Sequence, residues 1–516
     1  IGSDDKFVCF HARDSAYLDI ARPRNTLLHG DWSHLNVRDA SIYNQVPAAE
    51  KMAELGYFAI RMGKHMKNAL NSNNSRIIDY ATQSQSDFMD HVLQLCWMRF
   101  NWDENSARWH KTRISLIAVG GYGRGELNPQ SDIDIMFLHD GSLMSRRKPS
   151  GFLQEVADGV LYPLWDLGLK IGHAVRGIAD CVAVANEEVQ SKTSLFEARF
   201  VEGNLVVFER MGKTVRNKCV RGQEEQYIAA RLADQEVRRA KFGNAVTMQE
   251  PNIKNGCGGL RDYQNLIWMM TCKHGYRKVA DLEEEKILTR TEAEKLEAAY
   301  SFLLRARNEL HYQFDRPVDV LSKAVQPKVA WRLGYTNPSP AKRLEVFMGD
   351  YYRHARNIDL ITRALERRLA LAPKPAWRQA LSRLVGGRKN QEIDGFKIIE
   401  GEINYLLRRV FRDQPRRLMR IFLLMQRHGV TLYPDLAQLL SQQVYLVDRE
   451  FREDEHVHET FLEILNQRGN VGGILRCMHE LGFLGKYMPE FGRLTCLVQH
   501  EFYHQYTVDE HTLVCV

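Results

Sequence analysis

The residues best suited to chemistry lie in Val119-Gly120-Gly121-Tyr122-Gly123-Arg124-Gly125-Glu126-Leu127 and, shortly after, in Ser131-Asp132-Ile133-Asp134-Ile135-Met136-Phe137-Leu138. Paired glycines let a backbone turn sharply and approach a bulky anion closely. Asp132 and Asp134 stand two residues apart, so on a strand they share one face while Ile133, Ile135 and Phe137 share the other. Two carboxylates so placed repel each other unless a cation sits between them. A hard divalent ion with oxygen ligands meets that need, and Mg²⁺ held this way normally carries substrate phosphates as well. Glycines for phosphate oxygens and a carboxylate pair for the metal make one site for a nucleoside triphosphate. Singly, each half has a plainer explanation: Gly-rich turns are common, and an Asp-x-Asp can be the solvated face of an edge strand. Their strand–turn–strand order favours catalysis.

The elements that must position these residues are legible nearby. Ile114 to Val119 is a mostly apolar run with the length and β-branching of a buried strand. A polar loop, His139 to Ser150, follows the aspartates. Phe152, Val156, Val160, Leu161 and Leu164 fall at helical spacing, with Pro163 expected to kink the helix and Gly168 to cap it. Leu169, Ile171, His173 and Val175 then alternate with Lys170, Gly172, Ala174 and Arg176, which predicts a strand. Strand, turn, strand, helix, strand makes a small mixed sheet under helical cover.

Gly-Gly, ten residues and Asp-x-Asp resemble the signature of the DNA polymerase β-like nucleotidyltransferases. The longer string Gly-Gly-Tyr-Gly-Arg-Gly-Glu-Leu-Asn-Pro-Gln-Ser-Asp-Ile-Asp is similar to one branch, the bacterial bifunctional PII uridylyltransferase/uridylyl-removing enzymes of nitrogen regulation. The resemblance implies an α+β chain in which a small polymerase β-like mixed sheet is embedded in a mostly helical, multidomain protein. It implies Mg²⁺ (Mn²⁺ as the alternative) on Asp132 and Asp134, with Gly120, Gly121, Arg124 and Ser131 at the nucleotide. UTP would be the donor and a tyrosine of the PII protein the acceptor. The fold usually adds a third carboxylate from a later strand. The expected strand offers His173 and no acid, so Glu197 in Ser194-Leu195-Phe196-Glu197-Ala198-Arg199 is the nearest candidate, ahead of Asp166, Asp180 and Glu188. Glu197 reads equally well as a surface or salt-bridged helix residue.

Further segments extend the resemblance. In Pro251-Asn252-Ile253-Lys254-Asn255-Gly256-Cys257-Gly258-Gly259-Leu260-Arg261-Asp262, Lys254 and Arg261 have the charge to contact a triphosphate or the acceptor protein. The plainer reading is a loop with a helix-capping aspartate. Arg305 to His311, Arg316 to Leu321 and Glu345 to Arg353 continue the likeness. By physics alone they are amphipathic helices with basic faces, and Tyr351 and Tyr352 are packing residues. Near the end, Tyr506-Thr507-Val508-Asp509-Glu510-His511 resembles the entry to the family's HD-type phosphohydrolase domain, with His511 as its first metal ligand. The His-Asp pair that should follow is not reached by Val516, so the uridylyl-removing site is expected to be incomplete. A local site from His500, His504 and His511 on one helix face is the alternative. The β-branched Thr507 and Val508 weigh against that helix.

A chain of 516 residues exceeds one core and suggests two to four domains. The expected division is 1–108 helical, 109–215 nucleotidyltransferase core, 216–372 helical, 373–394 linker, 395–505 helical lead-in and 506–516 the start of the HD domain. Within it, Ala48–Leu70 and Gln83–Phe100 read as scaffold helices, Asn71–Ser75 as a loop, Ile403 to Leu484 as helical, and His456 and His458 as surface residues. Apolar content of 44% and charge content of 26% are ordinary for a soluble protein. No run is long enough to span a bilayer, and the first residues given lack the basic-then-apolar pattern expected of a secretory signal. Beginning at Ile1, it reads as a processed form or a fragment. Nine scattered cysteines without a Cys-x-x-Cys point to reduced thiols and the cytoplasm. A net charge of +7 over this length suits phosphate ligands or an acidic partner but makes no case for nucleic acid or membrane.

The resulting expectation is a metal-dependent uridylyltransferase acting on PII, with glutamine regulating the full-length enzyme by family resemblance. The alternatives are a tRNA CCA-adding or polyadenylating nucleotidyltransferase and a non-catalytic nucleotide-sensing scaffold.

Overall fold

The computed structural model describes residues 7–10, 46–56, 58–61, 77–79, 85–98, 114–141, 144–145, 148–149, 151–166, 168–370, 391–399, 401–467, 469–498 and 507–516. The chain divides into two compact units, Ile1–Glu224 with Arg307–Val318, and Glu225–Ala306 with Asp319–Val516.

The first unit is built on a four-stranded mixed sheet. Ile114–Ala118 lies antiparallel to Ile133–His139 on one side and to Arg199–Gly203 on the other, and Ile171–Gly177 pairs parallel to Ile133–His139. Alternation along the strands feeds two cores. Leu116, Ile133, Ile135 and Phe137 pack with Leu93 and Trp97 of the helix Gln85–Met98 and with Leu153, Val160 and Leu164 of the helix Gly151–Asp166. Ile117, Met136 and Leu138 pack on the opposite face with Ile178, Cys181, Val207 and Met211. Both faces of the sheet centre are therefore covered, and only the strand ends are left for a site. The Gly151–Asp166 helix carries Pro163 in its last turn. Gly168 at φ +71°, with Gly168 N–H donating to Trp165 O and Leu169 N–H to Leu164 O, terminates it in a Schellman arrangement. The expected strand after it is Ile171–Gly177. The fourth strand, Arg199–Gly203, has no alternating signal in the sequence, which is why only three strands were legible.

The helix expected over Ala48–Leu70 is corrected: it is Val46–Glu54, and Phe58–Arg61 is the middle strand of a parallel sheet with Phe7–Phe10 and Ile77–Asp79. Gly56 at φ +88° ends the helix and leads into an aromatic and β-branched segment. The loop expected at Asn71–Ser75 lies outside the described residues. Within the expected loop His139–Ser150, Met144–Ser145 pairs with Lys148–Pro149.

The second unit is mainly helical, with Leu260–His274 and Pro340–Ala370 among its longer elements. Its later part holds a small sheet, Gln391–Ile393, Phe396–Ile399, Glu402–Tyr405 and Thr431–Leu432, against helices Arg417–His428, Glu455–Asn466 and Val471–Glu480. The helical expectation from Ile403 is thus corrected at its start: Glu402–Tyr405 is a strand antiparallel to Phe396–Ile399, entered from Gly401 at φ +84°. Tyr351 and Tyr352 are buried, and His456 and His458 are exposed, as their patterns suggested. No helix among the described residues is long and apolar enough to cross a membrane.

Candidate active site

The glycine turn is one helical turn, Gly120–Gly123, opening directly from the first core strand. Gly123 N–H donates to Val119 O, and Arg124 N–H to Gly120 O. Gly123 has a steric role: a methyl group there would stand 2.3 Å from Glu197 O. The turn is therefore seated on the backbone that carries Glu197, a contact only glycine permits.

Asp132 is exposed just before the Ile133–His139 strand, and Asp134 is half-buried within it. The Asp134 carboxylate lies in a slot between two glycines. A methyl group on Gly172, its parallel neighbour, would stand 2.2 Å from Asp134 Oδ1, and one on Gly120 would stand 3.1 Å from Oδ2. The strand that was expected to supply an acid supplies empty space instead.

Glu197 caps the helix Val189–Phe196 and precedes the Arg199–Gly203 strand. In register, Ala118 faces both Ile135 and Arg199, which brings the Glu197 segment to the same sheet end as Asp134. Its side chain is only 6% exposed and accepts a hydrogen bond from Arg124 Nη1, while Arg124 Nε donates to Glu126 at 2.6 Å. Burial first, and then the charges of Asp132 and Glu197, push the Asp134 carboxyl above the usual aspartate range. The three carboxylates thus act on one another. Like charges around a half-buried carboxylate, all with oxygen donors, fit a hard divalent cation.

Two supports were invisible as chemistry in the sequence. Tyr122, fully buried within the glycine turn, donates its hydroxyl to Asp90 Oδ1 in the helix that had been read as scaffold. Arg199 grips both Asp90 oxygens, at 2.5 and 3.0 Å, and donates to Tyr122 O at 3.3 Å. Burial and the Asp90 charge hold the Tyr122 phenol protonated.

The other candidate residues are placed differently. A methyl group on Gly121 would meet the Arg124 guanidinium at an ordinary 3.7 Å, and the half-buried Ser131 closes the β-turn that starts at Asn128. Lys254 and Arg261 belong to the second unit, where Arg261 N–H donates to Lys254 O and its guanidinium lies 5.1 Å from the Trp268 ring centre. Asp262 is a structural anchor: buried, it accepts from Gly258 N–H and pairs with Arg238 and Arg239. Cys257 and Asp359 approach it closely enough to suggest a metal, yet Arg239 and Arg363 already neutralise Asp359. His511 is exposed on the helix Val508–Cys515 with its Nδ1 3.3 Å from Cys515 Sγ, and His500 and His504 lie outside the described residues.

Three family models match in order along the chain: a nucleotidyltransferase domain over residues 102–192, GlnD PII-uridylyltransferase over 226–366, and the uridylyltransferase GlnD third domain over 396–487. The bifunctional uridylyltransferase/uridylyl-removing enzyme of Azospirillum brasilense is 36% identical over 401 residues, which is 78% of this chain and 42% of that protein. Its counterpart in Cereibacter sphaeroides is 36% identical over 407 residues, 78% of this chain and 43% of that protein. The chain therefore spans about two fifths of the length of the curated relatives it matches. Domains of the nucleotidyltransferase kind generally work with a divalent metal. Beside the glycine turn and the paired aspartates, the chain thus carries, in sequence, a nucleotidyltransferase domain and two domains of the GlnD PII-uridylyltransferase family.

Proposed function

We propose that this chain transfers a uridylyl group from UTP to a tyrosine hydroxyl of a PII protein, using Mg²⁺ or Mn²⁺ held by Asp132 and Asp134. The observation that carries the reading is the gathering of Asp132, Asp134 and Glu197 at one sheet end beside the glycine turn. The bound ion would screen the charge that develops on the leaving pyrophosphate. Gly120 and Gly121 present backbone to the phosphates, and Arg124 adds positive charge from the same turn. The acceptor oxygen forms a bond to the α-phosphorus as the bond to the bridging oxygen of pyrophosphate breaks. We assign the released proton to Glu197, a nearly buried carboxylate of the cluster.

Uridylyl transfer enters from the names of the relatives, PII from the description of the matching family model, and UTP and the tyrosine from the resemblance of the motif. Cys181, Cys219, Cys257, Cys477, Cys496 and Cys515 are free thiols, which supports a reducing, cytoplasmic setting. For the uridylyl-removing activity in the relatives' names, we propose only that His511 contributes one metal ligand. Glutamine is proposed as a regulator of the longer arrangement seen in those relatives.

The test is a matrix of α-labelled UTP, ATP and CTP against PII and tRNA as acceptors. Label passing from UTP to PII, with stoichiometric pyrophosphate, is the expected outcome. Label passing from CTP or ATP to tRNA would replace this reading with end-addition to RNA. Nucleotide binding without pyrophosphate would replace it with a sensing role.

A further inference from the structure

The segment Arg307–Val318 folds with the first unit although Glu225–Ala306 separates it from the rest of that unit, and it lies outside the stretch matched as a nucleotidyltransferase. Its contacts converge on the β-turn Asn128-Pro129-Gln130-Ser131, which delivers the chain to Asp132. Pro129 presets the turn, and Ser131 N–H donates to Asn128 O at 3.0 Å. Asn128 is buried, and its side-chain oxygen accepts from Arg307 Nη1 while its Nδ2 donates to Asn308 Oδ1 at 2.6 Å. Gln130 N–H donates to Nδ1 of the fully buried His311 at 3.3 Å, and Gln130 Nε2 donates to Asp315 at 2.5 Å.

We propose that Arg307, Asn308 and His311 are positioning residues for nucleotidyl transfer: they clamp the Asn128–Ser131 turn and so fix Asp132 relative to Asp134. The inference rests on the metal-site reading given above. Asp134 is fixed without the clamp, by its place in the strand and by the glycine slot. Asp132 stands outside the strand and exposed, so its direction is set by Ile133 N–H on Lys170 O at 2.9 Å and by the turn before it. Loosening the turn leaves one metal ligand in place and frees the other. Such a change weakens metal binding more than it weakens the fold. As Nδ1 of His311 accepts, its proton resides on Nε2, and the ring acts as a neutral acceptor.

The experiment compares His311→Leu, which fills space but cannot accept, with His311→Asn, whose amide oxygen can stand where Nδ1 stands. Asn308→Ala is a milder variant that removes only the acceptor for Asn128 Nδ2 and keeps the test alive if His311→Leu does not fold. Each is titrated with Mn²⁺ by calorimetry and assayed for UMP transfer over a range of metal concentrations, with the thermal midpoint recorded alongside. Mn²⁺ affinity should fall about tenfold in His311→Leu and less in Asn308→Ala, with the half-activating metal concentration rising in parallel and His311→Asn recovering most of the loss. Wild-type Mn²⁺ affinity and metal response in Asn308→Ala, and in His311→Leu where it folds, would overturn the clamp. A wild-type chain that neither binds Mn²⁺ nor transfers UMP would instead overturn the metal-site reading on which it rests.

Discussion

Gly172→Ala isolates the contribution of the Asp134 slot. Gly172 is not at a positive φ, so its backbone accepts alanine, and the sole conflict is a methyl group 2.2 Å from Asp134 Oδ1. That is roughly 1 Å inside an ordinary contact, and the strand register leaves the carboxylate as the part that must move. Turning it off its rotamer costs about 0.5–1.5 kcal/mol. Alanine returns about 0.5–1 kcal/mol over glycine in a strand interior, so the net change in stability is within about 1 kcal/mol. Function is far more sensitive, since a displacement of about 1 Å in a positioned group costs on the order of 10²-fold in rate. UMP transfer to PII should therefore fall about a hundredfold while the urea midpoint hardly moves. Gly212→Ala, in a helix with open space around the added methyl, serves as the control and should gain up to about 1 kcal/mol with unchanged transfer. Transfer by Gly172→Ala within threefold of wild type would refute the slot argument.

Glu197→Gln should lower the transfer rate by about 10²–10⁴-fold if it takes the acceptor proton, measured as single-turnover rates at saturating UTP. Rates within a few fold would remove it from that role. Tyr122→Phe deletes the hydroxyl bonded to Asp90 and should cost about 1.5–3 kcal/mol in urea unfolding, with a lower UTP affinity as the glycine turn loosens. An unchanged midpoint would show the network to be dispensable. Glu366, in the second unit, gives a pH signature: burial first, then the Asp262 charge, push its carboxyl from 4.5 to about 7. Between those values the folded protein keeps a proton that the unfolded chain has released, so the contribution is fully present below pH 4.5 and is lost as pH rises through 7. At about 1.4 kcal/mol per unit the slope should total about 3 kcal/mol, and Glu366→Gln should flatten it in thermal scans from pH 4 to 8. A Gln variant with the wild-type slope would contradict the assignment.

Much of the sheet and half of the candidate site were legible because local pattern and local chemistry coincide there. Ile114 to Val119 and Ile133 to Leu138 carry their strand signal beside or among the candidate site residues. The Asp-x-Asp spacing then fixed which side chains share a face. Glu197 was harder to place because its partners are remote: its neighbours in the chain form a helix end, and only the Arg199–Gly203 pairing brings it to the aspartates. Gly172 was missed because its role is to leave room, which no composition rule flags. Asp90 and the Arg307–His311 segment were read as amphipathic helix because that is what their spacing encodes. Their polar contacts form across long stretches of chain. The strand at Glu402–Tyr405 was lost to a helical reading because four residues are too few for their alternation to stand out beside the helices that follow.

The most direct test is transfer of label from α-labelled UTP to PII by the wild-type chain and by Asp132→Asn/Asp134→Asn, with circular dichroism of both. The account predicts Mg²⁺-dependent labelling by the wild type and none by the double variant at an unchanged fold. Equal labelling by the two proteins would contradict it.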